Sequence, residues 1–453
     1  MTTTRRQFLK QSAAAGAIAS APLLWTKSTA FAQEANSRPT VASIGVGGSR
    51  GRYNRGGQVA RNAAKFGQMV AVCDVDDRHT AEFSEKHFGG KLEKFRDYRE
   101  LLEKIKPDIV TIGTPDHWHV PIALAALRSG CDVYCEKPLT LTIDEGIQVR
   151  TAVEETGRVF QVGTQQRSEN GSKFLKAIAL VRSGRLGDKV NAYVAIGGGP
   201  KGGPYKGSPA PDDLDWNMWL GPAPKVEYSE ERRRMFRWWF EYSGGKMTDW
   251  GAHHIDIAQW ALGQDDTGPV AVSAGGKFPP LVPDKFNWQA FLSGEATLPS
   301  GYNTATEFSI DLKFANGAVL NVNHHYKRDD GTDFGNGILF EGEEGRIFVN
   351  RGKLTGKPID ELTDADNKDL DEAVSKLYKG KRPGNHMANF FESVEDRTQP
   401  VSDVASHHRT MTSCHLCNIA LMLGRDLKWD PRAEKFVGDE QAQALASRQS
   451  RKV

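Results

Sequence analysis

Between residues 39 and 162 short apolar runs alternate with helical stretches, and this alternation restricts the fold more than any other feature of the chain. The runs cover residues 41–44, 69–73, 109–113, 132–135 and 159–162. Each is of strand length, and each is separated from the next by enough chain for a crossover helix. Strands joined in that way lie parallel in one doubly wound sheet with helices on its faces.

The pattern changes after about residue 165. A helix over 174–181 leads to a strand over 191–196, and then to a Gly/Pro-rich stretch, 197–224. So many breakers exclude regular structure there and suit a segment that wraps the surface or lines a cleft. A helix follows Gly244-Gly245. Strands are predicted over 306–314 and 318–326, joined by Asn316-Gly317, a strong hairpin signal. Further strands fall at 338–341 and 346–349, and one long helical region covers 385–423. The expected architecture is α/β: an N-terminal nucleotide-binding domain, 39–165, and a C-terminal α+β domain, 166–432, with a large open, mostly antiparallel sheet. The stretch 433–453 is polar and reads as a mobile tail.

Ahead of the first strand, Thr4-Arg5-Arg6-Gln7-Phe8-Leu9-Lys10 has the form of a twin-arginine export signal. A short Ala/Gly-rich apolar run follows, and Ala30-Phe31-Ala32 supplies a cleavage site. That run is too short for a stable membrane span. Residues 1–32 are therefore expected to be a cleaved leader handled by the twin-arginine machinery, which carries folded proteins, and the mature chain to act in the periplasm or another exported location. Net charge is +2 without a basic block, which gives no support for nucleic-acid binding. The five cysteines read as buried thiols, including Cys414 and Cys417, whose C-x-x-C spacing has no second pair to complete a zinc site. No metal site is expected.

The first strand runs into Gly45-Val46-Gly47-Gly48-Ser49-Arg50-Gly51 and then a helix, the context of a dinucleotide-binding loop. Glycines permit the tight turn and let backbone N–H groups approach a pyrophosphate at a helix N-terminus. Arg50 stands where a third glycine is usual, and Gly51 comes one residue later. Asp74 ends the second strand, where a carboxylate can hold a ribose 2′-hydroxyl and disfavours a 2′-phosphate. NAD is thus expected over NADP.

Further segments carry a family likeness: Thr114-Pro115-Asp116-His117-Trp118-His119, Glu136-Lys137-Pro138, Gly163-Thr164-Gln165-Gln166, and Gly244-Gly245-Lys246-Met247-Thr248-Asp249-Trp250-Gly251-Ala252-His253-His254-Ile255-Asp256. Together they resemble the glucose–fructose oxidoreductase/inositol dehydrogenase (Gfo/Idh/MocA) family of sugar oxidoreductases over essentially the whole mature chain. The resemblance implies a Rossmann domain, a C-terminal sheet through which such proteins often form homo-oligomers, and a carbohydrate substrate. It implies cofactor contacts from Gly45, Gly47, Gly48, Ser49, Arg50, Asp74, Thr114, Pro115, His117, His119, Glu136, Lys137 and Gln165.

Lys137 lies just past a parallel strand, where ligands of such sheets bind, and a lysine there can steady a developing alkoxide. Asp249 and His253 are placed four apart at the start of one predicted helix, so they are expected to share a face, with Asp256 and Trp260 continuing the stripe. Oxidation of a secondary alcohol needs a base for the hydroxyl proton; histidine suits it, and a carboxylate can orient it. The family likeness supports His253 as acid/base with Asp249 as its partner, and Lys137, Asp249 and His253 as the catalytic set. Trp238 and Trp239 are candidates for stacking on a sugar ring, although buried core aromatics are commoner.

The expectation is an exported oxidoreductase acting on a CH–OH group of a sugar, polyol or glycoside. Outside the cytoplasm free nicotinamide nucleotide is scarce, so the cofactor is expected to be tightly bound and recycled in place. One alternative is a redox-neutral enzyme that cleaves a glycoside through a keto-sugar intermediate. Another is a non-catalytic carbohydrate-binding protein, which the presence of Lys137, Asp249 and His253 argues against.

Overall fold

The structure, a computed structural model, describes residues 38–51 and 54–451, so the twin-arginine leader lies outside the described residues. The first sheet contains β1 (Thr40–Ile44), β2 (Gln68–Cys73), β3 (Glu93–Phe95), β4 (Ile109–Ile112), β5 (Asp132–Cys135) and β6 (Phe160–Val162). Their order is β3-β2-β1-β4-β5-β6, and every pairing is parallel. This is the doubly wound arrangement expected from the alternation. Its topological switch lies between β1 and β4, and it opens a crevice beyond their C-terminal ends.

The connecting helices begin where the sequence supplies caps. Asp76 accepts from the Arg78 amide ahead of Asp77–Phe88, and Thr142 accepts from the Glu145 amide ahead of Ile143–Thr156. One face of the sheet packs Ala42, Ile44, Val110 and Ile112 against Leu101, Ile122, Ala126 and Val149. The other packs Val41, Met69, Val72 and Ile109 against Val59, Ala60 and Phe83, and also against Met387, Phe390 and Val394 of the helix His386–Asp396. The C-terminal half of the chain therefore completes the N-terminal layer, and a boundary at residue 165 divides the sequence more cleanly than the packing.

The second sheet has nine strands in the order β15-β14-β13-β7-β10-β9-β8-β16-β17. They are β7 (Val190–Ala195), β8 (Ala271–Lys277), β9 (Glu307–Lys313), β10 (Val319–Asn323), β13 (Gly337–Gly342), β14 (Gly345–Val349), β15 (Leu354–Thr355), β16 (Leu427–Asp430) and β17 (Lys435–Phe436), while β11 (Tyr326–Lys327) and β12 (Asp333–Phe334) form a separate ribbon. Only β7 and β10 pair in parallel. Val194, Leu320, Val322, Ile310, Leu312, Ile338 and Phe340 face a core shared with the helices Lys173–Arg182, Gly251–Ala261 and Val404–Leu423. Alternate positions along β9 are less buried, as in a sheet covered on one face.

Three sequence expectations differ from the fold. The region 385–423 forms two helices, because Arg397 adopts the left-handed conformation that ends the first and Asp403 caps the second. The tail is not loose: β17 pairs with β16, the Arg448 guanidinium donates to the Phe240 carbonyl, and Arg451 donates to the Gly221 and Ala223 carbonyls at 3.0 and 3.2 Å. Two of its polar residues, Arg448 and Arg451, satisfy backbone carbonyls of the segment 221–240. Finally, the helix that carries Asp249 and His253 is broken between them, with consequences for the site.

Candidate functional site

A cleft of about 640 Å³ runs across the C-terminal ends of the parallel strands, between them and the segments 233–253 and Arg351. Every element that ends at it leaves a polar group there. Gly45 and Gly47 follow β1, Asp74 follows β2, Thr114 follows β4, Glu136 and Lys137 follow β5, and Gln165 follows β6; all of these, with Pro115, line the cleft.

The glycine-rich turn uses positive φ at Gly45 and Gly47, which only glycine adopts without strain. The helix after it begins at Arg55, later than Gly51, with the Asn54 side chain capping it. The close approach of helix to sheet falls to Gly56: a Cβ there would lie 1.7 Å from the Gly45 carbonyl oxygen. The third glycine is therefore displaced along the chain, and the longer turn frees Arg50 for another task. Its guanidinium pairs with Asp213 and lies 3.4 Å from Asp76. Asp76 also accepts from Arg233 at 2.5 Å. Ser49 donates to Glu82 through its amide, at 3.1 Å, and its hydroxyl, at 2.8 Å. Gly48, Ser49 and Arg50 do not line the cleft, contrary to their expected cofactor contacts, because Glu82, Asp76 and Asp213 hold the turn from behind.

Asp74, its side chain 9% exposed, accepts from the Gly47 amide at 2.9 Å and the Asp76 amide at 3.1 Å. Burial favours its neutral form, but His79 and these two amides outweigh that and lower its pKa. A carboxylate held ionised at the end of β2, next to a positive-φ glycine turn, fits the ribose end of a dinucleotide.

At the other end of the cleft the Lys137 ammonium donates to Asp249 Oδ1 at 2.6 Å and to the Asp249 carbonyl at 2.8 Å. Arg237 Nε reaches the same Oδ1 at 3.3 Å. Burial would push the Asp249 carboxyl up, yet Lys137 and Arg237 hold it well below the usual range. Asp249 closes the short helix Gly245–Asp249, and His253 belongs to the next, Gly251–Ala261. Lys137 and Arg237 take the carboxylate, so Asp249 partners the lysine and not His253 as expected. His253 is buried at the cleft, and its Nδ1 has no partner. Burial, then the charges of Lys137 and Arg351, depress its pKa well below the ordinary histidine value, so the ring is neutral at pH 7. Asp256, expected on the same stripe, turns away to a buried, two-point pairing with Arg167 at 2.7 Å for both bonds.

Two further expectations are corrected. His117 does not face the cleft: its Nε2 lies 2.8 Å from the Trp219 carbonyl, and burial lowers its pKa to about 3. His119 does line it, but both ring nitrogens meet carbonyls, of Pro138 at 2.7 Å and Thr114 at 3.0 Å, which clamps the strand ends. Trp238 lines the cleft, whereas Trp239 is fully buried against Tyr302 and Tyr205.

Sequence reasoning missed several lining residues. Arg55 donates to Glu136 Oε1 at 2.9 Å, and Gln165 donates to the same oxygen at 3.0 Å. Asp116, bonded by Ser243, is driven up to about 7 by burial. Lys246, Trp250 and Arg351 complete the wall. Lys246 and Trp250 sit inside a quoted motif, but Arg351 follows β14 nearly a hundred residues away, and no local pattern marks it.

Residues 40–164 match the family described as "Oxidoreductase family, NAD-binding Rossmann fold", and residues 203–278 and 312–453 match "Oxidoreductase family, C-terminal alpha/beta domain". D-glucoside 3-dehydrogenase of Escherichia coli is 30% identical over 137 residues, which are 28% of this chain and 38% of that protein. Inositol 2-dehydrogenase of Salmonella typhimurium is 29% identical over 127 residues, 28% of this chain and 37% of its own. The matches thus span less than half the length of these relatives. Among solved structures, the WlbA dehydrogenase of Bordetella pertussis, in complex with NADH and UDP-GlcNAcA, shares the fold with a TM-score of 0.60 at 16% identity, covering 87% of this chain and 98% of its own. The aldose-aldose oxidoreductase of Caulobacter crescentus, complexed with glycerol, does so with a TM-score of 0.56 at 18% identity, covering 86% and 99%. With a parallel sheet in Rossmann order, a mostly antiparallel second sheet and both halves matched, the chain belongs to the Gfo/Idh/MocA oxidoreductase family.

Proposed function

We propose that the protein is an exported, NAD-dependent oxidoreductase acting on a CH–OH group of a sugar, polyol or glycoside. The observation that carries this reading is the Lys137–Asp249 pair beside a buried neutral His253, at the strand ends of a Rossmann cleft. NAD, when bound, supplies the hydride acceptor. Gly45, Gly47 and Asp74 would hold its nucleotide end, and Thr114, Pro115, His119, Glu136, Lys137 and Gln165 would border the nicotinamide end.

The chain's own groups then divide the proton chemistry. Asp249 aims the Lys137 ammonium, so it can donate to the substrate oxygen and stabilise the alkoxide as it forms. His253, neutral and at the cleft wall, can take the hydroxyl proton. Trp238 and Trp250 add aromatic surface to the wall where a sugar would lie.

The leader at residues 1–32 supports export, and export supports a retained cofactor. The ionic contacts of Arg50 with Asp213 and of Arg233 with Asp76 tie the turns after β1 and β2 to the C-terminal half, which suits slow release. A hydride taken from one carbohydrate would be returned to a second, or to the first. A glycoside-cleaving version of the latter is the second reading; it is favoured by the 30% identity over 135 residues to a glycosyl hydrolase family 109 protein of Shewanella. The C-terminal sheet is the surface through which homo-oligomers would form.

The test is to purify mature protein from the exported fraction, release its nucleotide by denaturation and identify it. Sugars are then added to intact protein while the absorbance of the bound cofactor is followed at the wavelength of reduced nicotinamide. Co-purified NAD that responds to sugars supports the reading. Protein that is nucleotide-free and needs added cofactor overturns retention, and a predominance of NADP overturns the argument from Asp74.

A further inference from the structure

Around the catalytic pair the cleft carries more positive charge than its carboxylates balance. Five cations line this end: Arg55, Lys137, Arg237, Lys246 and Arg351. Arg55 is paired with Glu136 at 2.9 Å, and Lys137 and Arg237 share Asp249 at 2.6 and 3.3 Å. Asp116 is spoken for by Ser243, and burial favours its uncharged form. Among the described residues no carboxylate lies within ion-pairing distance of Lys246 or Arg351.

Both of these cations converge on one ring. Lys246 Nζ lies 5.9 Å from the centre of Trp250, and Arg351 Cζ lies 4.8 Å from it. Gln166, with its amide oriented to donate to the His253 carbonyl, accepts from Arg351 Nε at 3.2 Å and so fixes the guanidinium with its remaining N–H groups uncommitted. Trp250 is the break between the helices of Asp249 and His253, so the cations flank the reacting groups. Burial, with like charges nearby, lowers the pKa of both Lys246 and Arg351 despite the opposing charge of Asp249, which is already bonded by Lys137 and Arg237.

We infer that the substrate is an acidic sugar, whose carboxylate or phosphate is held by Lys246 and Arg351 beside Trp250. This rests on the reading of the cleft as a sugar oxidoreductase site and names its substrate class. A neutral sugar would leave two cations uncompensated in a partly desolvated pocket. An anionic one supplies the missing charge, and its binding fixes which carbon faces His253.

The test uses the mature protein with its cofactor bound. Calorimetry compares D-glucuronate, D-galacturonate and glucose 6-phosphate with D-glucose and D-galactose. Charge-assisted hydrogen bonds predict that acids bind about 10- to 100-fold more tightly than their neutral parents. That preference should collapse in Lys246→Gln and Arg351→Met, and return in Lys246→Arg, with circular dichroism confirming that each variant is folded. Preference for the uronates alone identifies a carboxylate, and for the 6-phosphate alone a phosphate. Equal or tighter binding of the neutral sugars, or a preference that survives both substitutions, overturns the inference. Hydride transfer is read separately from the bound cofactor. Acids that bind preferentially but never change its absorbance leave the anion site standing and remove the oxidoreductase reading.

Discussion

The Lys137 ammonium donates to both the side chain and the main chain of Asp249, at 2.6 and 2.8 Å, across 112 positions of sequence. The first residue follows a strand of the Rossmann sheet and the second ends a short helix of the C-terminal half, so this one contact assembles the site from both. With Lys137→Ala, hydride transfer should fall by about 10²–10⁴-fold, as for loss of a positioned proton-transfer group. Asp249→Asn should also cut kcat, because an amide no longer holds the ammonium by charge. Single-turnover reduction of the bound cofactor measures both, and wild-type rates in Lys137→Ala would move the role elsewhere.

His253 gives the pH dependence its sign. Its folded-state pKa is depressed, so the neutral, proton-accepting form persists below the ordinary histidine range. The acid limb of kcat/KM should therefore lie below about pH 6.5, the unperturbed value. The same depression means that the unfolded chain binds this proton more readily, so the contribution of His253 to stability is present above that pH and is lost as pH falls. His253→Gln should remove the limb together with most of the activity. An unchanged profile in the variant would assign the proton to another group.

Arg50 offers a test of the proposed cofactor retention. It stands 24% exposed and paired to Asp213, so the contact should weaken with added salt. Arg50→Ala and Asp213→Asn are each expected to speed release of NAD several-fold, with melting temperature little changed. Release is followed by fluorescence of the reduced cofactor after dilution. Identical rates in wild type and both variants, at low salt, would show that the turn is held by other contacts.

Arg167 and Asp256 form the most enclosed ion pair described, with side chains 3% and 1% exposed, and Thr410 and the Val401 carbonyl complete its hydrogen bonds. Arg167→Met leaves a buried carboxylate alone and should cost about 3–5 kcal/mol. Denaturant unfolding measures this. If the double variant Arg167→Met/Asp256→Leu recovers much of the loss, the cost lies in the stranded charge and not in lost packing.

Much of this protein was legible from sequence alone, because the features concerned are local. Alternating apolar runs and crossovers specify a parallel sheet whatever lies beyond it, and Asn316-Gly317 specifies its hairpin because the turn needs positive φ, found at Gly317. The strand-end positions of Gly45, Asp74 and Lys137 follow from that sheet. What tertiary structure decided is which groups meet. Helical spacing joined Asp249 to His253, but a lysine from the Rossmann half, 112 positions away, takes the carboxylate. The place of the third glycine depended on how closely Gly56 approaches Gly45 through space. His117, Trp239 and Arg351 went to their places by packing across long separations, and no periodicity within a window records such contacts. Local propensity and patterning are written residue by residue; charge balance in a cleft is a sum over elements brought together by the fold.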